Sequence, residues 1–241
     1  MGGVPSNIRL KVKRLAQFSC RCLGLKINRS TQHLMKESKC EGIVLKSYPF
    51  KEEQRIIHLF TPDQGVIHLI TRNLSLKKPQ HVNLATPLCR GHYVYRKNRS
   101  ALCTFVDGSI LNLHLPLRSS LRLLKLSGLM LQTIHTTQLP EKPHPQLYHL
   151  LRAYLEKLPL SPESLWLSFQ FKLLKYEGQF FFDKPYIRLA QGMYQLTESE
   201  WPYFLTLVEG RAFSVLCQLH LPVSFKKRME DLLQAEMHSI F

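Results

Sequence analysis

The 241 residues suffice for one large domain or two small ones, and 44% are apolar, enough for a buried core. No run of eighteen apolar residues and no continuous apolar h-region at the start are present, so neither a transmembrane helix nor a secretory signal is expected. The net charge of +16 is uneven: residues 1–40 carry nine Lys/Arg and one acid, residues 41–120 eleven and five, residues 121–241 thirteen and eleven. A basic first half points to phosphate as the partner, in nucleic acid or at an anionic membrane surface, against the plainer reading of a basic protein with no such partner.

Residues 1–34 contain seven Lys/Arg and no acid. They read as a basic, disordered extension; their composition also suits an organellar transit peptide. Met35 is the expected true start, because patterned sequence begins five residues later. From 41 to about 114 the chain reads as strands. Glu41–Tyr48 and Gln54–Thr61 come first, then Pro62-Asp63-Gln64-Gly65 as a type I turn, then Val66–Arg72. After the loop "NLSLKKPQ", residues Asn83–Lys97 read as one long strand with a kink at Gly91. Ala101–Val106 and Ser109–His114 flank Asp107-Gly108, a hairpin signal. Five or six such strands suit a small closed barrel, for instance an OB-fold.

Past Pro116 the period becomes helical. Leu121, Leu124, Gly128, Leu131 and Ile134 fall on one face of a helix begun at Ser119 or Ser120. Leu147, Leu150, Leu151, Tyr154 and Leu158 fall on one face of the next. Ser161-Pro162-Glu163 starts a third, which stops at Gly178. Residues 178–196 read as an irregular insertion with room for a short hairpin. Thr197 and Glu200 match a capping box, with Pro202 shifting the start by two or three residues. Arg211–Leu219 and Pro222–His238 complete a helical bundle. The expected fold class is α+β: residues 35–116 an OB-fold barrel, residues 117–241 a helical domain.

Catalytic signatures are missing. There is no Walker loop, GxGxxG, GxSxG or HExxH. Barrel acids are few, and adjacent Glu52 and Glu53 would point to opposite faces of a strand, so a nuclease's convergent carboxylates are not evident. The cysteines at 20, 22, 40, 89, 103 and 217 form no CxxC pair and read as reduced thiols. Cys89 reads as core and His92 as a solvated face. For His58 and His68 two readings stand: a pair facing across a hairpin, or ordinary partly exposed strand histidines, the latter favoured.

Phosphate binding has better candidates. Arg72, Lys77 and Lys78 fall at a strand end and its loop; Arg90, Arg96, Lys97 and Arg99 fall in the long strand and the next turn. Tyr93 and Tyr95, two apart, project from one face. Cations holding phosphates beside rings that stack bases suit a single-stranded nucleic acid. The alternative is that the tyrosines are barrel core.

"EGIVLKSYPFKEEQRIIHLFTPDQGVIHLITRN" resembles the opening of the RecO family of bacterial recombination-repair proteins: an "xGIVLx" strand, a charged loop, an "xRIIxLFT" strand and a "GxxxxxAxG"-like third strand. "PLCRGHYVYRKNRSALCTFVDGSIL" resembles that family's fourth and fifth strands, and "SFQFKLLKYEG" its helix closing in Leu-Leu-x-x-Gly. The resemblance spans roughly residues 38–238 and rests on diffuse motifs. It implies an N-terminal OB-fold, a C-terminal helical domain, binding to single- and double-stranded DNA, strand annealing and help in loading a recombinase. The implied partners are RecR and the acidic C-terminal tail of single-stranded-DNA-binding protein, in the bacterial cytoplasm at the nucleoid. Many members carry two CxxC pairs after the Leu-Leu-x-x-Gly helix. "QFFFDKPYIRLAQGMYQL" has none, so no zinc and no other cofactor is expected.

The expected function is a non-enzymatic DNA-binding recombination mediator; an RNA-binding OB protein and a nuclease are the rivals. The nearly neutral helical half is expected to dock a partner's acidic tail. Lys172, Lys175 and Arg211 are the candidate cations, and a solvated charge face over an ordinary core is the alternative.

Overall fold

The computed structural model describes residues 37–52, 54–71, 79–98 and 100–236, with the backbone of the last helix continuing to residue 240. The expected extension 1–34 and start at Met35 lie outside these residues.

Five strands close a barrel in the order β1-β2-β3-β5-β4. They are β1 (Glu37–Pro49), β2 (Arg55–Thr61), β3 (Gly65–Thr71), β4 (Arg90–Arg96) and β5 (Leu102–Asn112). β1 pairs antiparallel with both β2 and β4, and the parallel pair β3–β5 completes the ring. Full closure removes the exposed sheet edges that would invite foreign strands. Alternation sends Cys40, Val44, Ile57, Leu59, Ile67, Leu69, Tyr93, Tyr95 and Phe105 into the barrel interior. A shift in register between Val44 and Lys46 turns β1 around the curve.

The Pro62–Gly65 turn forms as the sequence predicts. Gln64 N donates to Thr61 Oγ1 at 3.2 Å, and Gly65 takes φ +66. A side chain at Gly65 would also overlap the Lys142 carbonyl, so glycine is required twice over.

Two expected strands are corrected. The run Asn83–Lys97 is not one strand: helix α1 (Pro79–Leu84) precedes β4. Thr86 Oγ1 turns back to the Val82 carbonyl at 3.0 Å and Pro87 follows, so the chain breaks before β4. α1 plugs the barrel end with fully buried Leu84. Nor is Asp107-Gly108 a hairpin. β5 runs straight through it, with Gly108 opposite Tyr93. A Cβ at Gly108 would meet the His92 carbonyl at 2.5 Å, so the glycine permits close strand approach and not a reversal.

The helices are α2 (Leu121–Thr137), α3 (Pro145–Lys157), α4 (Pro162–Tyr176), α5 (Trp201–Glu209), α6 (Phe213–Gln218) and α7 (Val223–Ile240). Ser120 caps α2 by accepting from Leu123 N. The buried face of α2 is offset from the predicted one: Ser127, Met130, Leu131 and Ile134 are inside, whereas Leu121 and Leu124 are exposed. Gly128 has open space beside it. α4 ends as predicted, with Gly178 at φ +69. Glu200 reaches back to Thr197 N at 2.9 Å, but α5 begins only at Trp201. Between α4 and α5 a three-stranded sheet forms from β6 (Phe181–Asp183), β7 (Tyr186–Leu189) and β8 (Gly192–Gln195).

One core joins barrel to helices. Ile43, Leu45, Phe60, Val66 and Leu88 from the barrel side pack with Met130, Leu131, Ile134, Leu147, Leu151, Leu165, Phe169 and Leu173. A second core, under the small sheet, gathers Phe171, Phe180, Ile187, Phe204, Phe225 and Leu233.

Candidate nucleic-acid interface

The barrel's outer face offers one solvent-open stretch with both cations and rings. β1 and β2 meet at a turn where Phe50 is 36% exposed and Lys51 Nζ lies 5.6 Å from its ring centroid. Lys51 takes φ +50, which tightens the reversal. Pro49 pairs with Arg55 and Tyr48 with Ile56, so the turn is held on a regular ladder. Arg55 is fixed by Ser47, whose Oγ accepts from Nε at 2.9 Å. On the opposite, outer face, together with Tyr48, stands exposed Lys46, across from His58. Two ammoniums, Lys46 and Lys51, with exposed Phe50 and partly exposed Tyr48 can contact phosphates and stack bases. Sequence reading missed this set. Its signal is "SYPFK", aromatics alternating with a cation at a strand end.

His58 and His68 are partly exposed and also face each other, with ring centroids 4.2 Å apart. α2 adds a third ring: His135 Nε2 lies 2.6 Å from His58 Nδ1. Burial lowers the pKa of all three, that of His58 to about 4 with help from His68, His135 and Lys46. Nothing in the sequence links His135 to a hairpin so far upstream.

Of the sequence-predicted cations, Arg90, Arg96 and Lys97 lie among the described residues. Arg72, Lys77, Lys78 and Arg99 lie outside the described residues. Lys97 is exposed and lines a cleft of about 470 Å³ with Asp63, His68, Asn98, Cys103 and Glu141. Arg96 pairs with Glu37 at 2.8 Å on a half-exposed surface. Arg90 is corrected to a structural role. Its side chain is 16% exposed, and it sits 2.8 Å from Glu156 and 3.7 Å from Glu41, tying β4 to α3 and β1.

Tyr93 and Tyr95 follow the second of their two readings, barrel core, and the base-stacking role is corrected: both are fully buried. They project from one face, as their spacing requires, but that face is the barrel interior. Tyr93 donates to the Leu84 carbonyl at 3.0 Å and Tyr95 to Gln64 Oε1 at 2.7 Å. Burial therefore raises both phenols, Tyr93 well above the ordinary range. Cys89 is likewise fully buried and His92 exposed.

On the helical half, Lys172, Lys175 and Arg211 converge on the turn after α5. Lys172 Nζ donates to the Gly210 carbonyl at 2.6 Å and lies 5.5 Å from the Tyr154 ring; burial lowers its pKa. Lys175 approaches Glu209 at 3.5 Å, and Arg211 is exposed. Lys172 thus caps a helix end, leaving Lys175 and Arg211 as the outward charges.

Residues 178–196 do not fit a four-cysteine zinc site. The segment holds neither Cys nor His. Phe180, Ile187, Leu189 and Leu196 fold inward, and Phe182 meets Phe204 edge to face at 5.4 Å, so apolar packing holds the small sheet. Among the described residues no group of three or more His, Cys, Asp or Glu is arranged to hold a metal ion. Among them, too, no helix is long and apolar enough to cross a membrane.

Residues 35–114 match the family described as Recombination protein O N terminal. A DNA repair protein RecO of Chlamydia pneumoniae is 28% identical over 200 residues, covering 82% of this chain and 76% of that protein. The namesake of Chlamydia muridarum is 29% identical over 139 residues, 57% of this chain and 59% of its own. That of Syntrophus aciditrophicus is 27% identical over 118 residues, 48% and 46% respectively. These last two alignments thus span about half the length of each relative. The matched stretch contains the five-stranded, OB-like barrel, and the chain is thus similar to the recombination protein O N-terminal family over that stretch and to DNA repair proteins named RecO over most of its length.

Proposed function

We propose that this protein is a non-enzymatic DNA-binding mediator of recombinational repair, which grips DNA on its barrel and brings complementary strands together. The observation that carries the reading is a basic, closed barrel of RecO type whose open β1–β2 turn sets Lys51 against the exposed Phe50 ring. Cations there screen strand–strand repulsion, and the rings hold unpaired bases until a complement arrives. The barrel carboxylates support mediation over hydrolysis, because each seen in contact is engaged separately: Glu37 with Arg96, Glu41 with Tyr148 and Arg90, Asp107 with His81.

The helical half is the docking side in this reading. Lys175 and Arg211 mark the rim to which the acidic tail of a single-stranded-DNA-binding protein would come, and RecR is the second expected partner. The deciding experiment is annealing of complementary strands precoated with the cognate single-strand binder. Acceleration by the intact chain supports mediation. Naked-strand binding without acceleration would reduce the function to DNA binding, and preference for matched RNA in competition would redirect it to RNA.

A further inference from the structure

We propose that His58, His68 and His135, together with Lys46, form a proton-linked site for one backbone phosphate of a nucleic acid lying along the β1–β2–β3 face. The proposal rests on the nucleic-acid reading above and adds a subsite to it.

The geometry brings three imidazoles from three elements to one place. His58 on β2 sits between His68 on β3, at 4.2 Å between ring centroids, and His135 on α2, at 4.8 Å. Lys46 on β1 is the ladder partner of His58, and Tyr48 packs edge-on against the His58 ring at 5.5 Å. The cluster is partly open to solvent. It lies two residues, about 7 Å along the strand, from the Tyr48–Ile56 pair that leads to the Phe50–Lys51 turn. A strand stacked at the turn would therefore run its backbone past the histidines.

In the free protein the cluster is complete only while its rings are neutral. The 2.6 Å contact between His58 Nδ1 and His135 Nε2 needs one proton between two nitrogens. If both rings protonate, the contact becomes N–H against N–H and fails. The charges acting on His58 are imidazole and ammonium: His68, His135 and Lys46. The carboxylates sharing a cleft with His68, Asp63 and Glu141, belong to the β2–β3 turn and to the loop bridged to Val66. Burial and these neighbours keep the rings neutral in the free protein. A phosphate oxygen that parts the two rings and replaces their direct contact reverses that balance. It accepts from two imidazolium N–H groups and the Lys46 ammonium, and each ring takes its proton from solvent. Binding is then coupled to proton uptake, which ordinary lysine–phosphate contacts are not.

The test is fluorescence anisotropy of labelled oligo(dT) against the full chain, at fixed ionic strength, from about pH 8 to about pH 5.5, across the ordinary histidine range. Affinity is expected to rise as pH falls, by up to about tenfold per pH unit for each proton taken up. The triple variant His58→Gln/His68→Gln/His135→Gln should lose the slope, Lys46→Gln should weaken binding throughout, and His220→Gln, remote on an exposed loop, should keep the slope. In the wild-type chain, histidine resonances followed by NMR should titrate at higher pH with oligo(dT) than without, a readout that needs no variant to fold. Binding without a slope, an unchanged slope in a folded triple variant, or unmoved resonances overturns this site alone. Absence of binding at every pH overturns the nucleic-acid reading with it. Stoichiometric zinc retained by the wild type and lost by the triple variant would replace phosphate by a metal and overturn the proposal.

Discussion

The Tyr148 hydroxyl donates to Glu41 Oε1 at 2.8 Å, joining α3 to β1 across 107 residues of chain. Glu41 in turn lies 3.7 Å from Arg90, which reaches Glu156 on the far end of α3. This partly buried strap lies over the core shared by barrel and helices. Burial, and then Glu41 itself, raise the Tyr148 phenol, so it stays a donor at any working pH. Tyr148→Phe should cost about 1–2 kcal/mol, read as a lower urea midpoint with unchanged slope. An unchanged midpoint would show that water replaces the bond at no loss.

Dividing the chain between 116 and 117 should yield two poorly folded pieces. Ile43, Leu45, Phe60 and Val66 would be bared on one and Met130, Ile134, Leu147 and Phe169 on the other. Both fragments should aggregate, or lose near-ultraviolet circular dichroism, when purified separately. A monomeric, cooperatively melting residues 35–116 fragment would contradict this.

Aromatic substitutions should separate grip from scaffold. Phe50→Ala is expected to weaken oligonucleotide binding by roughly 1–3 kcal/mol with little change in melting temperature. Lys51→Gln should flatten the log–log salt dependence on single strands by about 0.7. Tyr93→Phe should do the reverse: it frees the Leu84 carbonyl, costs about 1 kcal/mol of stability and leaves affinity alone. Isotherms and melts on the same preparations decide between the two classes.

Acid should destabilise the protein through the histidine cluster. His58 is neutral in the fold down to about pH 4 but protonates near its ordinary 6.5 when unfolded. Between those values the unfolded chain binds more protons, so stability falls as pH falls. Discounted for partial exposure, the loss is about 1 kcal/mol, or about 2–4 °C in Tm. The His58→Gln/His68→Gln/His135→Gln variant should show a flatter Tm against pH between 6.5 and 4.

The small sheet β6–β8 should depend on Phe180. Phe180→Ala opens a space among Phe171, Phe182 and Phe204 and should cost about 3–5 kcal/mol. A strong chelator should leave the wild-type Tm where it was. A chelator-induced drop would place a metal in the fold.

Local patterns carried most of the architecture. β-branched alternation in "RIIHLFT" and "GVIHLIT", the Pro62–Gly65 turn, the Ser120 cap and Gly178 at φ +69 are decided by residues close in sequence. What escaped local patterns is set by distant partners. Asp107-Gly108 has hairpin chemistry, yet in β5 the glycine is needed for the nearby His92 carbonyl and Leu84. Tyr93 and Tyr95 share a face by their period, but only barrel closure says that the face is inward. Arg90 reads as a free cation until α3 brings up Glu156. The open Phe50–Lys51 turn and the third histidine were hidden for the same reason: solvent exposure and inter-element contact are properties of the closed ring.

Closure of that ring also dictates when the barrel can exist. β1 pairs on one side with β2, next in sequence, but on the other with β4, Ile43 meeting Arg90 and Glu37 meeting Arg96. The final seam, His68 with Leu102, is parallel, so no hairpin can nucleate it. During synthesis the β1–β2–β3 meander can form early, but its two outer edges stay unpaired until β4 and β5 leave the ribosome. The loop-closure entropy of both long-range seams falls on one late step, which makes barrel closure slow relative to the helices. In that interval the open edges of β1 and β3 are the molecule's most vulnerable surface, ready to pair with any strand that arrives first.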